Sequence, residues 1–375
     1  MLYTNRDISR LPNILQLREI LMEYQEHFPT LHRKPYEMLI PDSNKFVLTP
    51  LGGGKYAFKP NITGQGVLFH GVNNVRTPYY PDFYWQDNTI RICEYLKIQA
   101  FLFTAKSHPL FSLLKDCIDL CAGKVFVVYN PLGLAACYGY STPFVQLTSS
   151  LDTAIMYATT KIIQNDGLRY LDQERDPEVG TIYVFDIFTT FSKIKGLSSV
   201  GLQAFERSGR MQEFVYRLNV EDDFNKLRYV KGFTFRHDIN VEKRLLNDIH
   251  RPKRADALSV KIRQVYSPNG NGVVELPINV RKMIEATEYI NTIDVSKGGI
   301  QFVVDNLERF QFSFEDLADV NLVQRWNNMI DQVVPSMPSD QIIIDRLRNV
   351  PYEHQYSRYF DINEWFEHLN RQFNE

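Results

Sequence analysis

Short strand-like runs in irregular order, not a strict strand–helix alternation, set the narrowest limit on what this chain can fold into. Val67–His70, Val125–Tyr129, Phe144–Leu147, Thr181–Ile187 and Glu213–Leu218 are dominated by β-branched, aromatic and other apolar residues and read as strands. In Glu213–Leu218, alternation puts Phe214, Tyr216 and Leu218 on one face and Glu213, Val215 and Arg217 on the other. Helical spacing intervenes near Thr89–Phe103 and again at Ser150–Gln164. The second stretch lines up Leu151, Ala154, Ile155, Ala158 and Ile162, with Ser149 or Ser150 placed to cap it. Upstream, Ile14, Leu17, Leu21, Tyr24 and Phe28 predict an amphipathic helix between Pro12 and Pro29. No phosphate-binding loop joins a strand to a helix. Leu51-Gly52-Gly53-Gly54-Lys55 is followed by Tyr56 where a Ser or Thr is needed, so a turn or hairpin is expected there. This irregular mixture predicts an α+β fold with a mixed sheet.

Hydrophobic residues make up 44% of the sequence and aromatics 13%, enough to build a sizeable core. A formal net charge of −2 gives no global field for nucleic acid, so any basic surface must be local. Lys243, Arg244, Arg251, Lys253, Arg254, Lys261 and Arg263 form such a cluster; it reads as a nucleic-acid patch or as a solvated helix and loop. No apolar run approaches the roughly 18 residues of a membrane span, and the N-terminus lacks a signal-peptide pattern, so a cytoplasmic chain with no membrane partner is expected. Cys93, Cys117, Cys121 and Cys137 show no zinc-finger spacing and read as buried thiols in a reducing compartment, with no metal. Texture changes divide the chain into residues 1–59 (helix and loops), 60–240 (the strand-rich part) and 241–375 (mixed, mostly helical), and the last is expected to serve target or partner binding under the family reading given below.

Four segments carry a family resemblance. They are Val67-Leu68-Phe69-His70-Gly71, Tyr79-Tyr80-Pro81-Asp82-Phe83-Tyr84, Leu134–Ser149 and Arg207–Phe214. In this order they resemble the FRG family, named for a Phe-Arg-Gly triplet and related to the ADP-ribosyltransferase fold. Here the triplet reads Phe69-His70-Gly71, and Gln146 and Leu147 stand where the family has Asp and Trp. The changes at His70 and Glu213 run toward the wider ADP-ribosyltransferase group, which uses His or Arg at the first strand, a Ser-Thr-Ser station and a late-strand Glu. Thr148-Ser149-Ser150 and Gln212-Glu213 are similar to the latter two stations.

The resemblance implies an NAD-dependent ADP-ribosyltransferase, a glycosyltransferase that consumes NAD to modify a protein or nucleic acid. Toxin and phage-defence settings, with a cognate inhibitor, come with that analogy. It also leaves open a non-catalytic module binding a nucleotide, an ADP-ribosyl group or a protein partner, and an NAD glycohydrolase. Cleaving the nicotinamide–ribose bond develops oxocarbenium-like charge. The expected catalytic residues are Glu213, stabilising that charge, and His70, bonding a ribose hydroxyl beside Gly71, where backbone approaches the ligand closely. Tyr138, Tyr140 and Phe144 are expected to stack on nicotinamide. Thr148, Ser149 and Ser150 would brace the Glu, meet the ligand or cap the following helix. Arg207 and Arg210 would hold a phosphate or the target, or flank a surface turn. His70 and Glu213 are expected to share one pocket. The bland alternatives are a structural strand-end His and a solvated Glu paired loosely with Arg217.

Overall fold

The computed structural model describes residues 8–27 and 46–248, the latter with breaks at 54, 61–65, 87, 112–117, 121–122, 128–129, 164–166, 172–176, 188–195, 202–204 and 206–212, then 258, 261 and 322–353 except 336. Helix α1 (Ile14–His27) starts just after Pro12. Asn13 and Gln16 cap it reciprocally, each side-chain oxygen accepting the other's backbone N–H at 3.1 and 3.0 Å. Strands β1 (Phe46–Gly52) and β2 (Lys55–Pro60) form a hairpin. It turns through Gly52 and Gly53 at φ +88° and +59°, so the glycine run serves the turn expected of it.

The expected strands all form. They are β3 (Val67–Val72), β5 (Gly123–Val127), β6 (Phe144–Thr148), β9 (Val179–Asp186) and β11 (Glu213–Arg217). Between them lie α2 (Asn88–Lys106), β4 (Ile118–Leu120), α3 (Pro131–Cys137) and α4 (Leu151–Ala158). Helix α4 is shorter than its apolar pattern suggested. The Thr159 and Thr160 hydroxyls take the carbonyls of Ile155 and Met156 at 2.8 and 2.5 Å. The β-branched run beyond them becomes β7 (Thr160–Ile163), paired with β8 (Gly167–Tyr170). Further elements are β10 (Leu197–Ser199), β12 (Val230–Arg236), α5 (Ile239–Asp248), α6 (Leu322–Ile330), β13 (Val333–Pro335) and α7 (Gln341–Glu353).

The fold is α+β. One six-stranded sheet, ordered β10-β11-β6-β3-β9-β12, is antiparallel throughout. A second, mixed sheet runs β13-β1-β2-β5-β4. This second sheet joins segments from all three stretches into which the sequence texture divided the chain, so strand pairing does not follow those boundaries. Its core gathers Phe46, Leu48, Phe58 and Leu110 with Trp326, Ile330 and Leu347, and the Trp326 indole donates to Leu347 O at 2.6 Å.

The two faces of the six-stranded sheet are dressed differently, and this positions everything that follows. One face carries Val67, Phe69, Ile182, Val184 and Phe235 under α1, α4 and α5, and Val215 packs with α2 and α3. The other carries Leu68, Val145, Leu147, Tyr183, Phe185, Phe214 and Tyr216, covered by Tyr79, Phe224 and Tyr229. Each fully buried Phe or Leu contributes about 1.5–3 kcal/mol, so both layers are substantial. Among the described residues no helix is long and apolar enough to cross a membrane.

Candidate functional site

Glu213, Thr148 and Phe69 occupy one rung across three adjacent strands, since Thr148 is the registered partner of both Glu213 and Phe69. Side chains of registered partners project to the same face, and that face is the helical one. His70, one residue beyond Phe69, therefore points to the opposite face. Its own partner is Tyr183, whose ring stacks on it at 5.9 Å. The structure does not form the expected common pocket of His70 and Glu213: the period-2 alternation of β3 separates them by the thickness of the sheet.

Glu213 opens β11 and is 2% exposed. Its carboxylate accepts hydrogen bonds from the Cys137 thiol at the end of α3 and from the Tyr157 hydroxyl on α4. It thus lies where the two helical clusters meet. It is neither a solvated strand-face Glu nor a partner of Arg217, whose side chain is on the exposed end of the strand. Neither Cys137 nor Tyr157 was marked as a partner for Glu213 by the sequence. Cys137 was legible as a buried thiol, which it is. Tyr157 carried no signal, because only the packing of α4 against the sheet brings it to residue 213.

Thr148 Oγ1 accepts the Ser150 N–H at 3.0 Å, and Ser150 Oγ accepts from Thr153 N at 3.2 Å as the N-cap of α4. Ser150 is therefore a cap, and Ser149 is 1% exposed. Gly71 does admit a close approach, but by a helix. A Cβ built there would lie 1.8 Å from Ala154 O of α4. Tyr138 and Tyr140 are core residues packed on Phe101 at ring distances of 5.1 and 4.9 Å, and half-buried Phe144 abuts the same cluster. The Tyr138 and Tyr140 rings are buried in this core. Arg207 and Arg210 lie outside the described residues, as do Arg251, Lys253, Arg254 and Arg263 of the basic cluster. Lys261 of that cluster is 9% exposed.

The His70 face holds the other candidate constellation. His70 Nε2 shares a 2.7 Å hydrogen bond with the Tyr79 hydroxyl, and Tyr79, Tyr183 and Phe224 surround the imidazole at ring distances of 5.5–5.9 Å. Burial holds the imidazole pKa down to about 4; a hydrogen bond to the Gln146 backbone pulls the other way, and the Arg76 guanidinium pushes it lower. His70 is consequently neutral near pH 7. The segment over it is firmly anchored. Asp223 accepts Tyr79 N at 2.9 Å, Asn225 Nδ2 donates to Arg76 O at 2.8 Å, and His237 Nε2 lies 3.1 Å from Asn73 O. Arg76 extends along the rim, its guanidinium 5.8 Å from the Tyr79 ring centre. Among the described residues no group of three His, Cys, Asp or Glu side chains would hold a metal ion.

In comparisons with known proteins, no family model, no curated protein and no solved structure matches the chain.

Proposed function

We propose that this chain is a non-catalytic binding module with an ADP-ribosyltransferase-like sheet, taking a nucleotide or ADP-ribosyl group on its His70 face. The observation that carries the reading is the separation of His70 from Glu213 by the sheet. A ribose on the His70 face is cut off from the Glu213 carboxylate, which is buried under Cys137 and Tyr157 on the far side. A neutral imidazole, aromatic walls and an arginine at the rim suit recognition of an uncharged sugar and ring joined to a phosphate.

A second reading keeps NAD as a substrate, with transfer to a protein or nucleic acid or with hydrolysis. One observation favours it: the three stations of the resemblance, at His70, Thr148 and Glu213, lie on adjacent strands β3, β6 and β11. One experiment separates the readings. The full chain is incubated with NAD while nicotinamide release is followed, and ADP-ribose binding is measured by calorimetry. The binding module gives no release and a measurable Kd that His70→Ala weakens at least tenfold. Release that falls by roughly two to four orders of magnitude in Glu213→Gln would instead establish the enzyme. Absence of both release and binding would sink both readings.

A further inference from the structure

We propose that Thr181 supplies a direct hydrogen bond to a sugar hydroxyl of the ligand on the His70 face, an inference that rests on the binding-module reading. Thr181 is 2% exposed, and its hydroxyl has no hydrogen-bond partner among the described residues. A buried hydroxyl without a partner is destabilising, and Val fills the same volume without that penalty. A ligand hydroxyl bonded to it would lift that penalty.

Register fixes where that partner would be. Thr181 pairs with Val72 on one side and Thr234 on the other, one row along from His70–Tyr183–Gly232. Its side chain accordingly shares the face of His70 and is that residue's diagonal neighbour. The methyl group is turned toward the row of Gly232, where a Cβ would lie 3.5 Å from Thr181 Cγ2 and 3.0 Å from Tyr183 Cε1. Tyr79 and Phe224 cap the His70 row, whereas Val72 and Thr234 in the Thr181 row are only half-buried, so the cap thins here. The buried carboxylate beside this cluster of rings, Asp223, is taken up by the Tyr79 and Asn225 N–H groups. A hydroxyl that both donates and accepts, set beside aromatic walls, matches the edge of a sugar better than a charged group. Arg76 at the rim is placed for the attached phosphate.

The test uses the full chain and ADP-ribose as the probe, with calorimetric Kd and unliganded Tm measured for the parent, Thr181→Val and Thr181→Ser. Thr181→Val is expected to raise Kd about five- to tenfold, the effect of one hydrogen bond, while its unliganded Tm stays level or rises. Thr181→Ser keeps the hydroxyl and is expected to bind within about twofold of the parent. If the parent and Thr181→Val bind equally well while His70→Ala binds poorly, the inference falls and the binding-module reading stands. If Thr181→Val loses Tm along with affinity, the serine variant decides: rescue upholds the hydroxyl's role, and failure overturns it. A parent that binds no ADP-ribose removes both.

Discussion

Glu213 carries a carboxylate into a position that water scarcely reaches, and donors on two helices help make that tolerable. The Cys137 thiol and the Tyr157 hydroxyl converge on it from different helices, so one side chain ties α3 and α4 to the first residue of β11. A carboxylate in a wet cleft would tolerate truncation; this one should not. Glu213→Ala strips the acceptor from both donors, and the expected loss is ~2–3 kcal/mol, read as a lowered urea midpoint. Glu213→Gln keeps one acceptor oxygen and is expected to lose less. An Ala variant that unfolds at the parent's midpoint would contradict the burial described for this residue.

At the scale of elements, α4 comes close to β3 at Gly71. Gly71 exists to permit it, because any Cβ would drive into the Ala154 carbonyl. Gly71→Ala is expected to lower stability by more than ~2 kcal/mol or to prevent folding, measured by thermal unfolding and yield of folded protein. The same contact explains what the sequence could tell and what it could not. Strand positions were legible because β-branched and aromatic runs at 67–72, 144–148, 179–186 and 213–217 leave few alternatives. Helix α1 was legible from its spacing and flanking prolines. The end of α4 was not, since its apolar pattern continues through Ile162 whereas the helix stops at Ala158 and a strand begins at Thr160. The candidate site was legible only as far as strand membership. His70, Thr148 and Glu213 do fall on neighbouring strands, but which face each one meets depends on a register that no local pattern specifies. Tyr138 and Tyr140 illustrate the same gap: an aromatic beside a motif reads as a stacking platform until packing shows it filling a core.

Across the whole molecule, two neutral histidines buried in different clusters give the protein a shared response to acid. Burial holds His70 near 4 and His108 near 3, the latter helped by the Arg325 charge. In the unfolded chain both regain the ordinary value near 6.5. Below that pH the unfolded chain binds protons that the folded one refuses, so stability falls as pH drops from about 6.5 toward 4 for His70 and toward 3 for His108. Above 6.5 neither contributes any slope. Each histidine is expected to add up to ~1.4 kcal/mol per pH unit within its window. Urea unfolding at pH 7, 6, 5 and 4 should show this decline, and the double replacement His70→Gln with His108→Gln should flatten it. An unchanged pH profile in that variant would place the acid sensitivity elsewhere.

The parallel pairing of β1 with β13 has a consequence for the order of events during synthesis. Phe46–Leu48 leaves the ribosome long before its neighbour Val333–Pro335, with the whole six-stranded sheet between them in sequence. Until then one edge of β1 presents bare amides and carbonyls, and the apolar side chains that Trp326 and Leu347 will cover stay open to other molecules. The six-stranded sheet, complete once residue 236 has emerged, has no such wait. A nascent chain halted between the two is therefore half finished in a specific way. It holds a completed antiparallel sheet beside a hairpin with one bare, sticky edge, which is the place where a chaperone would be expected to hold it.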